Sequence, residues 1–168
     1  MKAQKRSTAY LLPVALLAAG CVWISPAAQA ADNPSGSSQE VNQLLSQVKT
    51  EAIALEEDCD QIATWTRGRQ LSTASHGRKL IEIGDHINQA GRLVRQLHDA
   101  RDTAAPWQQE ATDRIYPLLK ELADNTQAMI DHLNESGSAL YLSEYSDYAK
   151  AGYELAHDLA ALVSVCVR

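Results

Sequence analysis

The sequence predicts an all-α protein, an antiparallel up-down-up-down four-helix bundle. Two observations carry that prediction. Four segments repeat apolar residues at steps of three and four, which places them on one stripe of a helix. Clear breakers separate them, and each stripe needs a partner to be buried against. The palette agrees: Phe is absent from the 168 residues and aromatics make up 5%. A core built from Leu, Ile, Val and Ala is then expected.

The organising segment is the third, Pro106 to Glu135. Trp107, Ala111, Ile115, Leu118, Leu122, Met129 and Leu133 form its stripe, with a polar gap near Thr126. Pro106 suits a first helical turn, where a missing N–H costs nothing. Pro117 lies in the interior and pushes against the carbonyl of Asp113. A bend is expected there, with the helix continuing because the stripe keeps its phase.

In chain order, residues 1–30 read as a signal peptide. Lys2, Lys5 and Arg6 precede an apolar run from Ala9 to Ile24, and Ala28-Gln29-Ala30 offers a small-x-small cleavage site. Cleavage there removes three cations and no anions, taking the net charge from −6 to −9. Cys21 after Ala19-Gly20 is an alternative, a lipid-anchored form. The apolar run is shorter than the roughly 18 residues of a membrane span, so no transmembrane anchor is expected in the mature form. The expected location is extracytoplasmic, periplasmic or secreted.

Residues 31–38 have linker composition and are expected to be flexible, with the bundle domain at 39–168. Ser37 with Glu40 signals the first helix start. Its stripe is Val41, Leu44, Val48, Ala52, Leu55, Cys59, Ile62 and Thr66. The acidic run Glu56, Glu57, Asp58 and Asp60 lacks the glycine and spacing of a calcium loop and reads as a solvated face. The second helix is expected from about Ser75 to Asp102, with Leu80, Ile83, Ile87, Ala90, Val94 and Leu97 as its seam. Gly77, Gly84 and Gly91 recur every seven residues beside that seam. Close approach of a neighbouring helix is the ordinary cause of such a line; a groove over bare backbone is the functional one. The fourth helix is expected from Ser143, with a stripe of Tyr145, Tyr148, Gly152, Leu155, Leu159, Leu162 and Cys166.

Composition and motifs exclude more than they assign. No basic stripe is present to neutralise phosphates, which argues against a nucleic-acid partner. Cys-x-x-Cys-His, the P-loop, Gly-x-Ser-x-Gly and His-Glu-x-x-His are all missing from the sequence. Glu154-Leu-Ala-His157 is a single Glu-x-x-His off the seam, where di-iron bundles use two facing inward. No enzyme activity and no cofactor are expected. The helix arrangement resembles the up-and-down bundles of cytochromes and chemoreceptor sensor domains, in architecture alone and with no shared motif.

The expected function is binding, with a protein or cell-envelope component as partner. Tyr141, Tyr145 and Tyr148 are candidate contact residues at the start of the fourth helix, the ordinary reading being rings that fill a bundle end. A metal- or haem-binding bundle is the alternative. In the expected topology His76, Met129 and Cys59 converge near the helix 1–2 loop, and these are ligand types for copper or haem iron. Cys59 and Cys166 should lie roughly 20–25 Å apart along the bundle, too far for a disulfide.

Overall fold

The computed structural model describes residues 34–68, 72–136 and 143–167. The signal-peptide reading, Cys21 and Tyr141 lie outside them. The described elements are α1 (Pro34–Gly68), α2 (Thr73–Asp99), a 3-10 turn at Arg101–Thr103, α3 (Pro106–Ser136) and α4 (Ser143–Cys166). No strand occurs among the described residues, and no helix there is long and apolar enough to cross a membrane.

Cross-helix bonds fix the directions. Gln108, at the start of α3, donates to Ser38 O and Asn42 Oδ1 near the start of α1, both at 3.0 Å. Lys49 Nζ reaches Val167 O, just past the end of α4, at 3.2 Å. At the other end His76 of α2 meets Tyr145 of α4 and Trp65 of α1. Helices α1 and α3 therefore run one way, α2 and α4 the other. Among neighbouring helices the packing is most extensive between α1 and α4 and sparsest between α2 and α3.

Every residue of the α1 stripe, Val41 through Thr66, is buried, joined by Leu45 and Ala63. The helix begins at Pro34, earlier than the Ser37 cap predicts, so the part of the expected linker from residue 34 onward is helical. Proline is tolerated at a first helical position, whose N–H has no intrahelical acceptor. Helix α2 starts at Thr73 behind Ser72, whose hydroxyl accepts the Ser75 N–H at 3.3 Å.

The glycine line on α2 is not explained by close packing. A Cβ on Gly84 would meet nothing within 4 Å, and one on Gly91 only the tip of Arg95 at 3.9 Å. Gly77 alone faces a neighbouring helix, with Leu133 Cδ2 at 3.5 Å. Close approach belongs instead to Gly152 of α4. A Cβ there would lie 3.0 Å from Asn125 Nδ2, and that amide donates to Tyr148 O at 2.9 Å. Gly84→Ala should therefore raise stability by about 0.5–1 kcal/mol, the helical cost of glycine being relieved with no clash. Gly152→Ala should not share the gain, because Asn125 must shift. Urea denaturation of both variants checks the contrast; equal gains would show that the Asn125 contact carries no cost.

Helix α3 runs through Pro117 without interruption. Its start differs from the expected stripe. Trp107 is 46% exposed, and Gln108 is buried in its place. Gln108 Oε1 accepts the Ala105 N–H at 2.7 Å, half of a capping box with Gln in the third helical position. Gln109 Nε2 donates to Arg101 O and Ala104 O, so two glutamines hold the α2–α3 connection. Further along, Leu119 is buried and Leu118 packs at the margin. The polar gap is harmless: Thr112 and Thr126 donate to the carbonyls of Gln108 and Leu122, four residues back.

Helix α4 also sits rotated from its expected stripe. Ala149, Ala156, Ala160 and Val163 are buried with Tyr145 and Leu159. Leu155 and Leu162 are only partly covered, and Tyr148 is exposed. The buried face of α4 is thus rich in alanine.

Cys59 and Cys166 are unpaired, as expected. Cys166 sits level with Asn42 and Ser46 of α1, which leaves Cys59 roughly 20–25 Å further along the bundle.

Candidate functional site

Three features gather polar or unusual side chains. The first is the bundle end formed by Trp65, His76, His132 and Tyr145. His76 and Tyr145 are fully buried, and the Tyr145 hydroxyl and His76 Nδ1 share a hydrogen bond of 3.0 Å. The Trp65 ring meets His76 edge-on at 5.6 Å, and His132 lies 5.8 Å from Tyr145 on the other side. His132 Nδ1 is 3.8 Å from Glu144 Oε2. Burial raises the Tyr145 phenol well above its ordinary value, so it stays neutral.

Tyr145 thus cannot serve as a contact residue at the surface. Tyr148 is exposed, with its carbonyl bound to Asn125. Of the expected metal set, His76, Met129 and Cys59 are all buried in the core. Burial, with the Asp58 carboxylate beside it, pushes the Cys59 thiol up to about 12, so it is protonated at neutral pH. Among the described residues no three His, Cys, Asp or Glu side chains gather as a metal site.

The second feature is a charge network between α1 and α2. Asp58, expected on a solvated face, is buried and accepts from Lys79 Nζ at 2.8 Å. Lys79 also pairs with Glu82. Burial disfavours the Lys79 ammonium, but its hydrogen bonds to the two carboxylates more than offset this and its pKa lies above the ordinary lysine value. His86 Nδ1 sits 2.7 Å from Glu51 and its Nε2 3.9 Å from Asp58. The acidic run of α1 is therefore divided: Asp58 pairs with α2 and Glu56 reaches His157 of α4 at 2.7 Å, while Glu57 and Asp60 stay on the exposed face expected of them.

The hydrogen bond and charge of Glu56 raise the His157 pKa. A histidine with a raised folded-state pKa stabilises fully below its unfolded value, and that contribution is lost as pH rises through the folded one. The stability gap between parent and His157→Gln should therefore be wider near pH 5.5 than at about pH 8.5. Denaturation at both pH values checks it; a gap that is constant or widens with pH would contradict the pairing.

The third feature is a groove of about 890 Å³ along the sparsest seam, between α2 and α3. Ile87, Val94, Leu119 and Ala123 line it with apolar surface, and Gly91 leaves bare backbone on the α2 side. Arg92 and Arg95 stand on the α2 lip, Tyr116 and Lys120 on the α3 lip, and His98, Asp99, Thr112 and Asp113 lie toward one end. Lys120 is paired with Asp124 at 2.6 Å, and Asp113 with Arg101 at 2.7 Å. Arg92 binds the Gln89 carboxamide.

This groove is where the seven-residue glycine line meets open surface, at Gly91. Gly91 was its visible signal in the sequence; Arg92, Arg95, Tyr116, Leu119 and Lys120 carried none. Which two helices leave a gap depends on how all four pack. A second, smaller depression of about 590 Å³ lies at the bundle end where α3 begins, lined by Trp107, Leu162, Val165 and Cys166 among others.

No protein-family model matches the chain, and neither a search of curated proteins nor one of solved structures finds a match.

Proposed function

We propose that this chain is an extracytoplasmic binding module that holds its ligand in the α2–α3 groove and performs no chemistry on it. The observation that carries the reading is the groove itself, an apolar floor beneath polar lips. Its size falls in the range of roughly 300–1,000 Å³ usual for small-molecule sites. The perturbed groups elsewhere favour binding over catalysis: Cys59 and Tyr145 are buried and shifted away from their reactive forms. The partner class this suits is a cell-envelope component with an apolar part. The address rests on the first thirty residues. N-terminal sequencing of exported protein should start at Ala31, whereas a mature form starting at lipid-modified Cys21 would mean a membrane-tethered module.

Nile red, an uncharged apolar dye, tests the groove. The parent should brighten it, and Gly91→Leu, which places a side chain in the groove from a lip with room for it, should suppress that while remaining folded. A parent that leaves the dye dark, or a variant that binds it unchanged, overturns the reading.

A further inference from the structure

We infer that the groove's occupant is a single-chain anionic amphiphile, its alkyl chain along the α2–α3 floor and its anionic head at Arg95 and Arg92. This rests on the binding reading above and adds the ligand's class.

Shape comes first. The groove is lined from Ile87 to Asp99 on α2 and from Thr112 to Ala123 on α3, roughly 17 Å at 1.5 Å per residue. One extended alkyl chain fits between the lips and covers Val94 and Leu119.

Charge then selects the head. The carboxylates nearest the α3 lip already have cations, Asp113 in Arg101 and Asp124 in Lys120. Arg95 has no carboxylate partner among the described residues, and its guanidinium lies over Gly91, 3.9 Å from where a Cβ would be. Arg92, one residue beyond Gly91, is held by an uncharged carboxamide alone. Asp99 is the opposing charge, at the end of the lining and one helical turn from Arg95. Two guanidiniums against one carboxylate leave the middle of the lip cationic on a chain of net charge −6. With screening over about 8 Å at physiological salt, the local pair decides what docks there. A guanidinium offers paired donors to a carboxylate, sulfate or phosphate oxygen pair, and such charge-assisted bonds are the strong ones.

The test compares amphiphiles of equal chain length on the whole mature protein, each below its micelle concentration: dodecanoate, dodecanol and dodecyltrimethylammonium. Calorimetry should show dodecanoate binding about tenfold tighter than dodecanol and the cation weakest. Arg95→Gln, at an exposed position, should bring dodecanoate down to the level of dodecanol without changing the affinity for dodecanol. Equal binding of dodecanoate and dodecanol, both lost in Gly91→Leu, would overturn the anionic head and leave the binding groove standing. No binding of any of the three would overturn both readings. Binding to phosphatidylglycerol vesicles without binding of monomeric dodecanoate would overturn the inference in favour of contact with a lipid surface.

Discussion

Tyr145→Ala is expected to destabilise the bundle by about 3–5 kcal/mol, the largest effect of any single substitution considered. Tyr145 is the largest fully buried side chain of the core, and it closes one end between His76 and His132. Alanine removes the ring and leaves a void that helices α2, α3 and α4 cannot collapse without breaking their other contacts. Tyr145→Phe separates the ring from its hydroxyl. It preserves the packing but strips the group that His76 Nδ1 shares at 3.0 Å, and should cost about 1–3 kcal/mol. Urea denaturation followed by circular dichroism gives both numbers. A phenylalanine variant as stable as the parent would mean that the hydroxyl contributes nothing beyond filling space.

Lys79→Met should cost about 2–3 kcal/mol, at or just below the low end of what removing one partner of a fully buried ion pair costs, since this pair keeps some contact with water. The Lys79 and Asp58 side chains are each 13% exposed. Without the ammonium, the Asp58 carboxylate loses its nearest partner beside an apolar seam, and His86 Nε2 is left facing it at 3.9 Å. The loss thus comes from a stranded carboxylate more than from the attraction itself. The double variant Asp58→Leu/Lys79→Met removes both charges and should recover most of the stability. A double variant no better than the single one would show that the pair holds α1 against α2 by a net attraction. The measurement is the same denaturation series, read as a double-mutant cycle.

Periodicity served helix α1 best. All eight residues of its stripe are buried, because large aliphatic side chains at heptad-like spacing leave one inward orientation. Helix α4 is the opposite case. Alanine suits either face of a helix, so a reading that follows the bulkiest residues picks Tyr148, Leu155 and Leu162, whereas the bundle buries Ala149, Ala156 and Ala160. Trp107 failed for a related reason. At the helix start the buried slot was claimed by Gln108, whose amide satisfies three backbone and side-chain partners at once, and the indole was left half in solvent.

By itself, the sequence determined a chain of four amphipathic helices with an aliphatic core, and placed Cys59 and Cys166 too far apart to pair. Those properties follow from local spacing and chain length. Tertiary structure alone decided which polar groups are buried and where ligand-sized space remains. Asp58 is buried because α2 brings Lys79 opposite it, and His76 because α4 brings Tyr145. The groove over Gly91 exists because α2 and α3 pack least closely of the neighbouring pairs. Each depends on the distance and rotation between helices, which arise only when all four stripes are satisfied together.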